Sequence, residues 1–347
     1  TVGTNVPRLD YSDSQCPQLL LEPARTNLIP DSNNFNAASW GILELGTGSA
    51  PVVGATNLPS PSGNNDASEI TFNLNGGTSA SDISTINQTF NGTSGTRYAG
   101  GFWVRSANGG EKIVLRQAGG SSYTAIDVAT EWQRVGNVET SSVAGSRVYE
   151  FGLRGGVVSG VSDLATIQIY GAQLEAGAYP TSYIPTSGAT ATRLEDDCYN
   201  INAQSIINSQ SGTFYVDVAF STADETQGIS LSDGTNTNLI RFYKINPRQI
   251  ICSASQFTAN AIRSAEGFVE ANKFYKMAIS YDSQRVAFFI DGVKIGEEPT
   301  ISTPAVGLYT QIRFDRGSGD LKFKGLVNEL SVFPSSLSDA ECINLTK

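Results

Sequence analysis

The sequence has 347 residues, with 23 Lys and Arg against 33 Asp and Glu, a formal charge of −10, and no histidine. That balance opposes binding to a nucleic-acid backbone or an anionic membrane surface, both of which select clustered Lys and Arg. No apolar run approaches the roughly 20 residues of a membrane-spanning helix, no signal peptide is legible, and the missing histidine excludes Ser-His-Asp and Cys-His nucleophile arrangements.

Gly, Ser, Thr and Asn are abundant and charged residues are only 16%, against about 25% in an ordinary globular chain. Residues 1–30 read as an extended, Pro-bearing segment with an apolar run at Leu19-Leu20-Leu21. Too extended to hold a core alone, this segment is a candidate for docking on another subunit. From about residue 35, short β-like runs alternate with Gly/Ser/Asn clusters: Tyr98 to Arg105, Lys112 to Gln117, Arg147 to Leu153 and Thr166 to Gln173. Turn signals recur roughly every ten residues, which predicts a sandwich or barrel.

Residues 176–200 combine two prolines, small residues and an acidic cluster, and read as a domain junction. The second block opens on Thr213 to Phe220, where Phe214, Val216, Val218 and Phe220 share one face. Phe274 to Tyr281 and Val286 to Ile290 continue it, and Asp291-Gly292 before Val293 to Ile295 predicts a hairpin with both turn residues at positive φ. Gln311 to Phe314 and Leu321 to Phe333 add strands, and Ser338 to Glu341 reads as the capping box of one short C-terminal helix. The expectation is an all-β chain of two tandem β-sandwiches: an N-terminal segment 1–30, a first domain 31–198 and a second domain 199–347. Cys16, Cys198, Cys252 and Cys342 have no metal-ligand spacing and read as free, mostly buried thiols, with a Cys16–Cys198 disulfide as the alternative.

Leu20 to Leu28 (LLEPARTNL), followed by Phe35 and Trp40, resembles the entry of a module found in bacteriophage tail and fibre proteins. Phe102 to Arg105 and Glu131 to Arg134 resemble its inner strands, and Gly171 to Gly177 with Tyr179 to Thr186 its closing strand and exit. That module is similar to jelly-roll carbohydrate-binding modules, and in it Trp40 and Trp132 belong to the framework. Gly212 to Phe214, Tyr275 to Ala278, Phe289 to Gly292, Gly325 to Glu329 and Leu337 to Glu341 resemble a concanavalin A/laminin-G-like sandwich. Arg313-Phe314-Asp315-Arg316 departs from that pattern, standing where such sandwiches carry a small Gly-rich strand end. The resemblance implies a virion structural protein, a fibre, knob or decoration, that binds host cell-surface polysaccharide and contacts other virion proteins, as a homotrimer without membrane insertion.

Alternation puts Trp103 and Arg105 on one face of their strand and Phe102 and Val104 on the other. Trp103, Arg105, Arg116 and Tyr123 are therefore the candidate carbohydrate-binding residues, because sugars stack on aromatic faces beside polar groups. Packing of Trp103 under a covering loop is the competing reading. Arg241 with Tyr243, and Arg313 with Asp315, read as a salt-bridged surface. No closely spaced carboxylate triplet suits a glycosidase; Asp315, Asp320 and Glu329 come nearest but fall on different elements. No catalytic or metal site is assigned, and no cofactor, although calcium at Asp163, Glu195, Asp196, Asp197, Asp233 or Asp291 stays open. Three readings result: a non-catalytic glycan-binding virion protein, an assembly or decoration protein without a ligand, and a polysaccharide depolymerase.

Overall fold

The computed structural model describes residues 6–11, 16–117 and 122–347. Among the described residues all the long elements are β-strands, and the one α-helix is Asp339–Leu345. The chain divides into two compact units: Ala24–Leu194, and the residues up to Pro23 together with Glu195–Lys347.

In the unit Ala24–Leu194, one antiparallel sheet runs in the order Gln133–Thr140, Arg97–Arg105, Leu164–Ala176, Asn65–Asn73 and Ser49–Val53, with Leu58–Pro59 pairing to Asn65–Asn73. The other runs Thr124–Asp127, Lys112–Arg116, Gly145–Arg154, Ile83–Gly92 and Gly41–Leu45. Phe102, Val104, Ile167 and Ile169 of the first sheet share one core with Ile86, Leu115, Tyr149 and Phe151 of the second. Phe151 is the hub, its ring lying 4.9 Å from Phe102, 5.7 Å from Trp40 and 6.0 Å from Phe35. Trp40 donates its indole N–H to the Asp31 carbonyl at 2.8 Å, so it is a framework residue, as expected.

The second unit pairs a seven-stranded sheet with a six-stranded one. The first contains Gln18–Leu21, Gly325–Phe333, Gly212–Phe220, Phe274–Tyr281, Arg285–Ile290 and Val293–Pro299, beginning with the short Leu9–Asp10. The second contains Tyr199–Asn200, Gln311–Arg313, Gln227–Ser232, Leu239–Ile245, Gln249–Ala254 and Ile262–Arg263. Phe214, Val216, Val218 and Phe220 enter the core together, as their alternation requires. The other side of that strand is buried as well, because the helix lays Cys342, Ile343 and Leu345 over Tyr215, Ala278 and Phe289. Ser338 caps the helix: its backbone N–H donates to Glu341 Oε2 at 2.8 Å, and its hydroxyl accepts from the Glu341 N–H. The hairpin turn has Asp291 at φ 47° and Gly292 at φ 77°.

The N-terminal segment differs from the expectation. Leu19, Leu20 and Leu21 pair with Val327, Leu326 and Gly325 inside the chain's own sheet, with Leu21 in the core. The apolar run is thus satisfied by covering what would otherwise be an open sheet edge. Residues 1–5 and 12–15 of that segment lie outside the described residues. Arg25–Asn27 belongs to the other unit, where it pairs with Ala191–Arg193. The division therefore falls after Leu194 rather than after Cys198, and Tyr199–Asn200 already pairs with Gln311–Arg313.

Candidate functional site

The four candidate residues separate into two groups on the two sheets of the unit Ala24–Leu194. Trp103 and Arg105 lie on the strand Arg97–Arg105, while Arg116 closes Lys112–Arg116 and Tyr123 immediately precedes Thr124–Asp127. The structure does not bring all four to one place.

Around Trp103 the outer sheet face is covered. Its ring lies 5.8 Å from Tyr170 and 5.9 Å from Tyr183, and the Arg134 guanidinium sits 4.7 Å above it. Arg105 lies 4.9 Å over Trp132 and donates to Gln168 Oε1 at 2.9 Å. The covering segment is 177–186, and buried polar groups hold it down. The fully buried Glu175 accepts from the N–H and the hydroxyl of Thr181, the latter at 2.7 Å. Asn27, also fully buried, donates to the carbonyls of Ala172 (3.1 Å) and Ile184 (2.9 Å) and accepts from the N–H groups of Ile29 and Leu174. Four hydrogen bonds from one amide stitch the entry strand, the closing strand and the exit together. Beside this lies a cleft of about 260 Å³ lined by Gly101, Gly136, Arg134 and Pro180. Gly101 and Gly136 are cross-strand partners, and a Cβ on Gly136 would meet the Gly100 carbonyl oxygen at 2.2 Å. Trp103 is accordingly a packed residue at the margin of a glycine-floored cleft.

The second group is polar and convergent. Register aligns Gly41, Asn87, Glu150 and Arg116 across the five-stranded sheet. Tyr149 and Phe151 point into the core, so Glu150 faces outward, yet it has no exposed surface. Arg116 pairs with its Oε2, and the Thr85 hydroxyl donates to Oε1 at 3.0 Å. The Tyr123 ring contacts two guanidinium groups, 5.1 Å from Arg116 and 5.2 Å from Arg154, and Arg154 donates to the Tyr123 hydroxyl. That hydroxyl lies 3.4 Å from Glu150 Oε2. Burial, with the Glu150 charge second, raises the tyrosine pKa above its usual 10.0, so the phenol stays a neutral donor. Sequence reasoning missed Glu150 and Arg154. Both lie on Gly145–Arg154, which carries Arg147 as well; only the register of that strand against Lys112–Arg116 sets Glu150 opposite Arg116, and Arg154 reaches Tyr123 through its long side chain.

The carboxylates weighed for hydrolysis or calcium are engaged elsewhere. Asp315 is buried against Arg313 and the Gly317 N–H, and Arg316 holds Asp320. Glu195 and Asp197 both pair with Lys322, while Asp196 takes Arg8 and the Glu22 N–H. Asp163 accepts from Gly76, Asp233 from Thr235 and Asn238, and Asp291 from the Lys276 N–H. Among the described residues, no three Cys, Asp or Glu side chains gather as a metal-binding group. Cys252 and Cys342 are buried, Cys198 is half-buried and Cys16 exposed.

Residues 195–342 match the family model described as the concanavalin A-like lectin/glucanases superfamily. No curated protein matches the sequence. Among solved structures, a Ruminococcus gnavus IT-sialidase CBM40 is similar at 15% identity and TM-score 0.34, over 40% of this chain and 84% of that one. A heptameric SAP-like pentraxin from Limulus polyphemus is similar at 11% identity and TM-score 0.33, over 41% of this chain and 72% of that one. Trypanosoma rangeli sialidase is similar at 15% identity and TM-score 0.32, over 40% of this chain and 22% of that one.

Proposed function

We propose that the chain is a non-catalytic glycan-binding protein, acting as a fibre, knob or decoration of a bacteriophage particle and recognising host-surface polysaccharide. The observation that carries binding is the Arg116–Tyr123–Arg154 cluster fixed by the buried Glu150: rigid donors beside a half-buried aromatic ring. Such groups are held before a ligand arrives, so little side-chain entropy is lost when a sugar hydrogen-bonds to them. The lectin-type family match over residues 195–342 supports the same class of ligand. The carboxylates nearest to a hydrolytic set are engaged by arginines or lie on separate elements, which supports a role without catalysis. The virion setting and a homotrimeric state rest on the LLEPARTNL entry and the Tyr179 to Thr186 exit.

Glycan-array binding of the purified chain tests this. Binding to at least one host-type polysaccharide is expected, with no new reducing ends after prolonged incubation. Tyr123→Ala and Arg116→Ala should each weaken binding about tenfold, the loss of one charge-assisted or stacking contact. Silence across the array at high micromolar protein sinks the binding reading, and released sugars sink the non-catalytic one.

A further inference from the structure

The six-stranded sheet of the other unit carries a second cluster on its outer face. Register aligns Tyr199, Arg313, Ser230, Arg241 and Ser253 in one row across five strands. Arg313 behaves as a salt-bridged surface residue: Nε donates to Asp315 Oδ2 at 2.8 Å, Nη1 to Gln311 Oε1 at 2.9 Å, and the guanidinium lies 4.7 Å from the Tyr199 ring. Arg316 is held by Asp320 in the same way. Arg241 departs from the expected salt-bridged surface. Its Nε donates to Ser253 Oγ at 2.9 Å and its guanidinium lies 4.5 Å from the Tyr243 ring, but among the described residues no carboxylate pairs with it. Arg263, exposed on the edge strand one row along, likewise enters no ion pair among the described residues.

The surroundings make a shelf with one wall. Ser230 and Ser232 are fully buried because the loop 315–320 lies on their strand, accepting their hydroxyl hydrogens at the Asp315 (3.1 Å) and Gly317 (3.0 Å) carbonyls. A Cβ on Gly228 would meet Arg316 Cα at 3.0 Å, so the strand has no room for a side chain where the loop crosses it. On the other side, Ser253 is half-buried and Arg263 exposed. Arg241, Arg263, Arg313 and Arg316 against Asp315 and Asp320 leave this cluster two positive charges in excess, within a chain of net charge −10. Burial above all lowers the Arg241 pKa below its usual 12.5; Arg316 adds to that, and Tyr243 and Asp320 oppose it without reversing the direction.

The geometry points to a binding site for an acidic saccharide, in which the terminal nitrogens of Arg241 take the carboxylate or sulfate of a sugar beside Ser253 and Arg263. A guanidinium backed by an aromatic ring and fixed at Nε presents its remaining donors as a planar fork, which matches those anions. An open shelf with hydroxyls and aromatic rings suits a sugar chain. This site lies in a different unit from the Tyr123 cluster and stands or falls separately.

The test titrates the full chain at low salt with a uronic-acid oligosaccharide, with the same compound carboxyl-reduced to its neutral form, and with a sulfated oligosaccharide. At least one acidic ligand should bind about tenfold or more tightly than the neutral one, and the two acidic arms tell carboxylate from sulfate. Arg241→Gln should abolish that preference, while Arg97→Gln, at an exposed arginine of the other unit, leaves it unchanged. Arg241→Lys, which keeps the charge and loses the fork, should weaken acidic binding about tenfold with the melting temperature held. Equal affinity for acidic and reduced ligands, no acidic binding at millimolar concentration, or undiminished binding by Arg241→Lys would each overturn the proposal.

Discussion

At the scale of single residues, the chain spends its buried polar groups on holding the backbone. Asn27 is the clearest case, since one side chain satisfies two carbonyls and two N–H groups on three segments. Asn27→Ala leaves those four groups without water or partner, and a buried unsatisfied group costs about 1–3 kcal/mol. We expect a loss of about 3 kcal/mol or more in the unit Ala24–Leu194, read as a lower denaturant midpoint at unchanged slope; a shift below about 1 kcal/mol contradicts the role given to Asn27. The sequence marks Asn27 only as part of an LLEPARTNL string, because no local pattern reveals contacts to residues 172 and 184. Trp103 shows the opposite limit. Alternation correctly turned it away from the core, but covering by Tyr170, Tyr183 and Arg134 depends on chain far away in sequence.

At the scale of elements, strands and the terminal helix were legible because their signals are local. The Asp291-Gly292 hairpin, the Phe214-to-Phe220 alternation and the Ser338/Glu341 box all lie within a few residues of what they determine. The pairing of Gln18–Leu21 was not legible, since its partner Gly325–Phe333 lies at the other end of the chain. The same apolar run that looked like an arm for another subunit is a strand of its own sheet. Leu21→Asp puts an unpaired charge into that core. We expect amide hydrogen exchange to rise along Gly325–Phe333 and its neighbours, with the strands of the unit Ala24–Leu194 still protected. Unchanged protection of Gly325–Phe333 would show that the N-terminal strand is dispensable.

At the scale of the whole molecule, the unit Ala24–Leu194 is an insertion in the chain of the other. Within the receiving unit, the Glu22 N–H donates to Asp196 Oδ2 at 2.8 Å and the Asp196 N–H to the Glu22 carbonyl at 2.9 Å, so the ends of the interrupted chain are adjacent. Joining Pro23 to Glu195 through a short Gly-Ser linker should therefore give a folded protein that retains its acidic-sugar site and lacks the Tyr123 cluster. The fragment 195–347 alone should be less stable, for want of the strand Gln18–Leu21. Equal thermal stability of the two would refute this. The same interleaving bears on damage from outside. A protease that cuts at the exposed Ser159-Gly160 leaves two polypeptides, the first carrying Gln18–Leu21 and Arg97–Arg105, the second their partners Gly325–Phe333 and Leu164–Ala176. Both sandwiches are then knitted from both pieces, so the nicked molecule travels as one particle in a native gel and falls apart only in denaturant.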